Sequence, residues 1–187
     1  ALMHAVQAGA EHPIFELLIK GAELYIHNSA GETAFSLAIA SKNIKIVQAF
    51  LGAGADIESK NRHGQTALVI AALNSDDAMF SFLLENGASL EEIESSCDQI
   101  IYNAAARDDS SMIISLMSMG ISVDAVGVTG VTALMRAAAE GNVAAVDFLL
   151  EYSADINFLT EKHESPLSAA VSKGQESMVK SLWEKNA

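Results

Sequence analysis

The chain repeats itself from one end to the other with a period of about 33 residues, a length that points to a stack of small similar units. The segments beginning Thr33-Ala34-Phe35, Thr66-Ala67-Leu68 and Thr132-Ala133-Leu134 are spaced by one period and then by two. Gln99 falls on the missing frame, Ser165 on the next, and Ala1 just after the one before Thr33, so six frames fit without an insertion. The agreement continues inside each frame. Five residues past the anchor stand Ala5, Ala38, Ala71, Ala104, Ala137 and Ala170. Seventeen past it stand Leu17, Phe50, Leu83, Leu116, Leu149 and Leu182. Twenty-one past it stand Gly21, Gly54, Gly87, Gly120, Ser153 and Asn186.

The chemistry of one unit follows from these positions. Apolar residues at helical spacing after the anchor predict a first helix of about nine residues. Thr33, Thr66, Thr132 and Ser165 stand where a side-chain oxygen caps that helix. The alanine lets two helices approach closely. A short turn, at Asp76-Asp77, Asp108-Asp109 and Gly141-Asn142, leads to a second helix. The glycine ends it, because glycine enters the left-handed region without a Cβ penalty. An extended segment such as Ala55-Asp56-Ile57 then runs to a tip such as Asn61-Arg62-His63-Gly64 and returns. One helix pair cannot bury its own apolar face, so the core must be shared between neighbours.

This pattern resembles the ankyrin repeat over the whole chain. The frame from Gly130-Val131-Thr132-Ala133-Leu134 through Ala137-Ala138, Gly141 and Phe148-Leu149-Leu150 carries the resemblance most fully, with Gly64-Gln65-Thr66-Ala67-Leu68 and Gly87-Ala88 beside it. The resemblance implies an all-α solenoid of stacked antiparallel helix pairs with projecting hairpin-like fingers. It also implies a non-catalytic scaffold that binds a partner protein or peptide through its concave face and finger tips. The expected frames are 1–27 (partial), 28–60, 61–93, 94–126, 127–159 and 160–187 (partial), in a single domain read as a piece of a longer protein. The alternative is a structural or regulatory segment that contacts other parts of its own larger chain.

Three departures from the pattern stand out. The frame at Gln99 has no threonine, and Cys97 stands where the tip glycine belongs. His163 replaces another tip glycine, and Ser153 replaces a glycine that ends a helix.

Composition narrows the partner. Eleven Lys+Arg against 24 Asp+Glu give a net charge of −13, which repels phosphate backbones and argues against nucleic acid. No apolar run approaches the length of a membrane span, so no direct membrane insertion is expected. A single cysteine excludes an internal disulfide and suits a reducing compartment, so the expected location is cytoplasmic, with the nucleus as the alternative. Gly52-Ala53-Gly54 closes a helix where a phosphate loop would open one. The five histidines are scattered over different repeats. No catalytic, cofactor or metal site is expected.

Residues 63 to 135 hold one base, Arg107, and ten acids. Glu91, Glu92, Glu94 and Asp98 are expected to crowd one finger, and Asp76-Asp77 and Asp108-Asp109 to lie at inter-helix turns. Two readings stay open: aspartates that cap the second helices on a solvated edge, or a docking patch for a partner with a basic segment. Val126, Val128, Val131, Phe158 and Leu159 put apolar residues on fingers. They either pack on neighbouring fingers or form an exposed contact patch. The candidate partner-binding residues are Arg62 and His63 at one tip; Leu73, Asn74, Arg107 and Glu140 on the concave face; Asp98; and Val128, Thr129, Val131 and Phe158 on the fingers. Asn157 either turns its finger or, by similarity of Leu149–Asn157 to hydroxylated ankyrin segments, is a target for an asparaginyl hydroxylase.

Overall fold

The computed structural model describes residues 1–185, so Asn186, the sixth member of the helix-ending position, lies outside the described residues. The contacts group the chain into two compact units, Ala1–Glu92 and Ile93–Ala187. Each is built of helix pairs, and the described residues contain twelve helices and no strand.

The first unit carries α1 (Leu2–Gln7) with α2 (Glu11–Ile19), α3 (Ala34–Ala40) with α4 (Ile44–Gly52), and α5 (Ala67–Leu73) with α6 (Asp77–Glu85). Its first helices pack in series, α1 on α3 and α3 on α5. The caps are the ones the anchors predict. Thr33 and Thr66 each accept a backbone N–H from three residues on, and Ser36 returns the bond to Thr33. The first helices are shorter than expected, at seven residues in α3 and α5. At the end of α5 the carbonyl of the repeated alanine, Ala71, accepts the Asp76 N–H at 3.0 Å, and at the end of α3 that of Ala38 accepts the Ser41 hydroxyl at 2.7 Å. Phe50 and Leu83 are fully buried from the second helices.

The second unit begins inside α7 (Glu91–Ala106), followed by α8 (Ser110–Ser118), α9 (Ala133–Glu140), α10 (Val143–Glu151), α11 (Pro166–Ser172) and α12 (Glu176–Glu184). Here one expectation is overturned. Glu91, Glu92, Glu94 and Asp98 do not crowd a finger. They lie on α7, which at 16 residues replaces the finger with extra helical turns. The apolar positions Ile93, Cys97, Ile100 and Ile101 fall on one face of that helix and are all buried. Burial of that face outweighs the turn the period would place there, and no glycine is present to turn it.

Two other departures follow the period. Ser153 and His163 take the left-handed conformation of the glycines they replace, at φ 65° and 58°. Asp76 and Asp109 cap α6 and α8 through the N–H groups of Met79 and Met112, as the capping reading expects.

A finger-to-finger clamp also recurs. At the residue 25 past the anchor, the side chain accepts a backbone N–H from the next finger: Tyr25 from Asp56 at 3.2 Å, Glu58 from Ser89 at 2.7 Å and Asp124 from Asp155 at 3.0 Å. Two residues earlier, Asp56, Ser89, Ser122 and Asp155 each turn the segment by accepting the N–H two residues on.

Candidate functional site

In the second unit, α9 and α11 are adjacent first helices, opened by the caps of Thr132 and Ser165. Between them runs a groove of about 740 Å³. Its α9 side is Val131, Met135, Arg136, Ala139 and Glu140, and its α11 side is His163, Glu164, Ser168, Ala169, Ser172 and Lys173. The α11 side of the groove is small: Ala169 occupies the register position that Leu37, Ile70 and Arg136 hold in α3, α5 and α9.

The α9 wall is fixed from behind. The Arg136 guanidinium pairs with the Asp98 carboxylate on α7. Asp98 also accepts the Thr129 hydroxyl at 2.8 Å, and its side chain is only 2% exposed. The Nε of Arg136 is buried with no partner among the described residues. The backbone reaches equally close. Val128 donates its N–H to the Ser95 carbonyl at 3.0 Å, and a side chain on Gly127 would run into the Asp98 carboxylate. At the far end of the wall, the Tyr102 hydroxyl donates to Glu140 at 2.6 Å. Burial, and then the Glu140 bond, push the Tyr102 phenol above its ordinary value. Gln175 donates to the Ala139 carbonyl at 3.2 Å and closes that end.

Beside this groove, the fingers of the second unit expose Val126, Val128 and Leu159, with Val128 82% accessible. A second cleft of about 350 Å³ lies among Val126, Gly130, Phe158, Leu159, Thr160, Glu161 and Lys162. Of the two readings of these residues, packing describes half-buried Phe158 and Val131, and exposure describes Val126, Val128 and Leu159.

The other candidates are dispersed. In the first unit, Arg62 and His63 lean on the neighbouring finger: the Arg62 N–H donates to the Gly31 carbonyl, and His63 Nε2 lies 3.0 Å from the Ala30 carbonyl. Leu73 and Asn74 are half-buried at the end of α5. In the second unit, Arg107 is exposed just past α7. Asp98 is withdrawn from any partner, because a buried carboxylate already held by Arg136 and Thr129 presents no accessible acceptor. Thr129 is exposed, but its hydroxyl is directed inward. Asn157 is exposed, and its N–H bonds Asp155 at 2.9 Å.

Cys97 is buried, and burial, followed by the charge of Asp98, raises its thiol pKa, away from a reactive thiolate. No three metal-ligating side chains gather among the described residues. No described helix is long and apolar enough to cross a membrane. Sequence reading missed Met135, Arg136, Ser168, Ala169, Ser172 and Lys173. The signal available was the step to a small residue at Ala169, where the matching frames have Leu37, Ile70, Asn103 and Arg136.

Residues 2–93 and 101–187 match the family model for ankyrin repeats in three copies. The chain belongs to the ankyrin-repeat family. The family's repeat is a general protein–protein interaction module and typically non-catalytic. Among curated proteins no sequence matches the chain. Among solved structures it is similar to a chain of the complex between the predatory endopeptidase Bd0816 of Bdellovibrio bacteriovorus and the immunity protein Bd3460. That match has 25% identity over the whole of this chain and 98% of that one, with a TM-score of 0.71. It is similar in fold to the ankyrin repeat domain of Bcl-3, a member of the IkappaB protein family, at 24% identity over the whole of this chain and 86% of that one, with a TM-score of 0.68. An ankyrin repeat domain from Acinetobacter baumannii matches at 23% identity, covering 98% and 96% of the two chains, with a TM-score of 0.64.

Proposed function

We propose that this ankyrin-repeat chain is a non-catalytic recognition module, and that it binds a segment of a partner protein in the groove between α9 and α11, with the exposed valines of the neighbouring fingers completing the surface. The observation that carries the reading is the groove itself, whose lining combines half-buried apolar residues, Val131, Ala139 and Ala169, with the charged Arg136, Glu140, Glu164 and Lys173. Concave sites with an apolar floor and a few fixed polar groups suit binding. The α9 wall is held by the Arg136–Asp98 pair and the Tyr102–Glu140 bond, so a ligand meets a surface that is already ordered. The groove carries both signs of charge, Glu140 and Glu164 against Arg136 and Lys173, so a partner segment with mixed charge fits its walls, while the net charge of −13 favours approach of a basic one.

The test is affinity capture from a source-cell lysate, comparing the parent chain with Ser172→Trp, which fills the groove, and with Val128→Asp/Val131→Asp. The expected outcome is a captured protein that Ser172→Trp loses by tenfold or more and whose retention falls with salt. A specific partner held equally by the parent and by both variants would overturn the site.

A further inference from the structure

The charges that line the groove between α9 and α11 are not equally engaged. On the α9 wall, Arg136 is paired with Asp98, and Glu140 accepts the Tyr102 hydroxyl. On the α11 wall, Glu164 and Lys173 are exposed, and neither forms an ion pair among the described residues. They stand at opposite ends of that wall. Glu164 precedes the capping residue Ser165 at the finger end, and Lys173 is the C-cap of α11, at the end that Gln175 closes. The helical rise over Pro166–Lys173 sets the two roughly 10–15 Å apart.

Between these charges the wall makes no polar demand. The Ser168 hydroxyl donates to the Ser165 carbonyl at 2.9 Å, and the Ser172 hydroxyl to the Ala169 carbonyl at 2.8 Å, so both are satisfied within α11 and its cap. Ala169 is small, and Val131 and Ala139 line the α9 side. The two helices pack directly on each other, and the furrow between packed helices is narrower than a third helix of about 10 Å across. An extended chain fits such a furrow. It advances about 3.3 Å per residue, so roughly three to five residues cover the distance between the two charges.

Resting on the groove reading above, we infer that the segment it takes is extended and carries a basic and an acidic residue roughly three to five positions apart. The base stands against Glu164 and the acid against Lys173, with small or apolar residues between them. A segment of bases alone would bring a base to Lys173, and a segment of acids alone would bring an acid to Glu164. The charges set direction and register more than strength. Exposed ion pairs contribute little each, but a segment laid the wrong way round puts like charges together at both ends, and that repulsion discriminates against it. The α9 charges supply no such choice, because each already has a partner in the chain.

The experiment selects a displayed library of random short peptides on three forms of the chain: the parent, Ser172→Trp, which fills the groove, and the exchange Glu164→Lys/Lys173→Glu. All three positions are exposed, and circular dichroism with Tm checks that each form keeps its fold. Peptides enriched on the parent and lost on Ser172→Trp are groove ligands. They are expected to carry a base and an acid at the stated spacing and in one constant order along the peptide. On the exchange variant the enriched order should reverse. A selected peptide, measured by fluorescence anisotropy, should bind Lys173→Glu roughly fivefold more weakly than the parent. Groove ligands without that spacing, or the same order on the parent and the exchange variant, would overturn the inference and leave the groove reading standing. A selection in which Ser172→Trp retains every enriched peptide would overturn the groove reading, and the inference with it.

Discussion

Asp98 and Arg136, far apart in the sequence on α7 and α9, form an ion pair whose carboxylate is almost wholly withdrawn from solvent while the guanidinium forms part of a groove wall. The pair thus joins the helix that replaces a finger to the groove. Its two halves are not equivalent. Removing the arginine strands a buried carboxylate that keeps only the Thr129 hydroxyl, whereas removing the carboxylate leaves a guanidinium that still reaches water. Arg136→Ala is expected to cost roughly 3 kcal/mol or more, and Asp98→Asn less. Urea midpoints of the two variants decide the order, and equal losses would contradict the asymmetry of burial.

Gly127 gives the second expectation. Its backbone lies against the Asp98 carboxylate with no room for a Cβ. Gly127→Ala should destabilise the parent chain by about 1–3 kcal/mol, as overpacking does. In the Asp98→Ala background it should cost clearly less, because the obstructing group is gone. A double-mutant cycle measures this coupling, and strictly additive losses would place the obstruction elsewhere.

Ser153 holds a left-handed conformation at φ 65° where the four preceding frames have Gly21, Gly54, Gly87 and Gly120. A side chain in that region costs of order 1 kcal/mol, offset in part by the greater freedom of glycine in the unfolded chain. Ser153→Gly is therefore expected to raise Tm by a few degrees. An unchanged or lowered Tm would mean that Ser153 is not strained.

Asp124 bears on pH. Burial raises its carboxyl pKa, opposed by the hydrogen bond from the Asp155 N–H and reinforced by the Asp155 charge. A raised folded pKa means that the native chain binds this proton more tightly than the unfolded chain does. Its contribution to stability is thus least favourable above the folded pKa and improves as pH falls through that value towards the ordinary carboxylate range. Asp124→Asn keeps an acceptor for Asp155 and removes the charge. Its stability relative to the parent should be higher at neutral pH than at acid pH, measured as the difference in denaturation midpoints. A difference independent of pH would remove the assignment.

Leu83 tests the stacked core. It is fully buried on α6, and Leu83→Ala should cost roughly 2–5 kcal/mol. A melting temperature equal to the parent's would contradict that burial.

What the sequence by itself determined is whatever repeats. The caps at Thr33, Thr66, Thr132 and Ser165, the alanine contact and the glycine turn at Gly54 were legible, whereas Ser153 and His163 read as departures and only the structure shows that they keep the left-handed turn. Each depends on a few residues close in the chain, and the period reads the same short message several times over. The finger clamps of Tyr25, Glu58 and Asp124 were written in the same register, but their residue types differ, so the shared acceptor role shows only in the hydrogen bonds. Tertiary structure decided the rest. Cys97 and Asp98 read as the tip and flank of an acidic finger, and became the buried face of a long helix because Ile93, Ile100 and Ile101 could all be buried on that side together. The groove required Ala169 and Ser172 to stand opposite Arg136, and Arg136 to be held by a carboxylate from the preceding frame. Local periodicity carries no information about such a meeting, because its free energy comes from burial and pairing between segments that become neighbours only when the repeats stack.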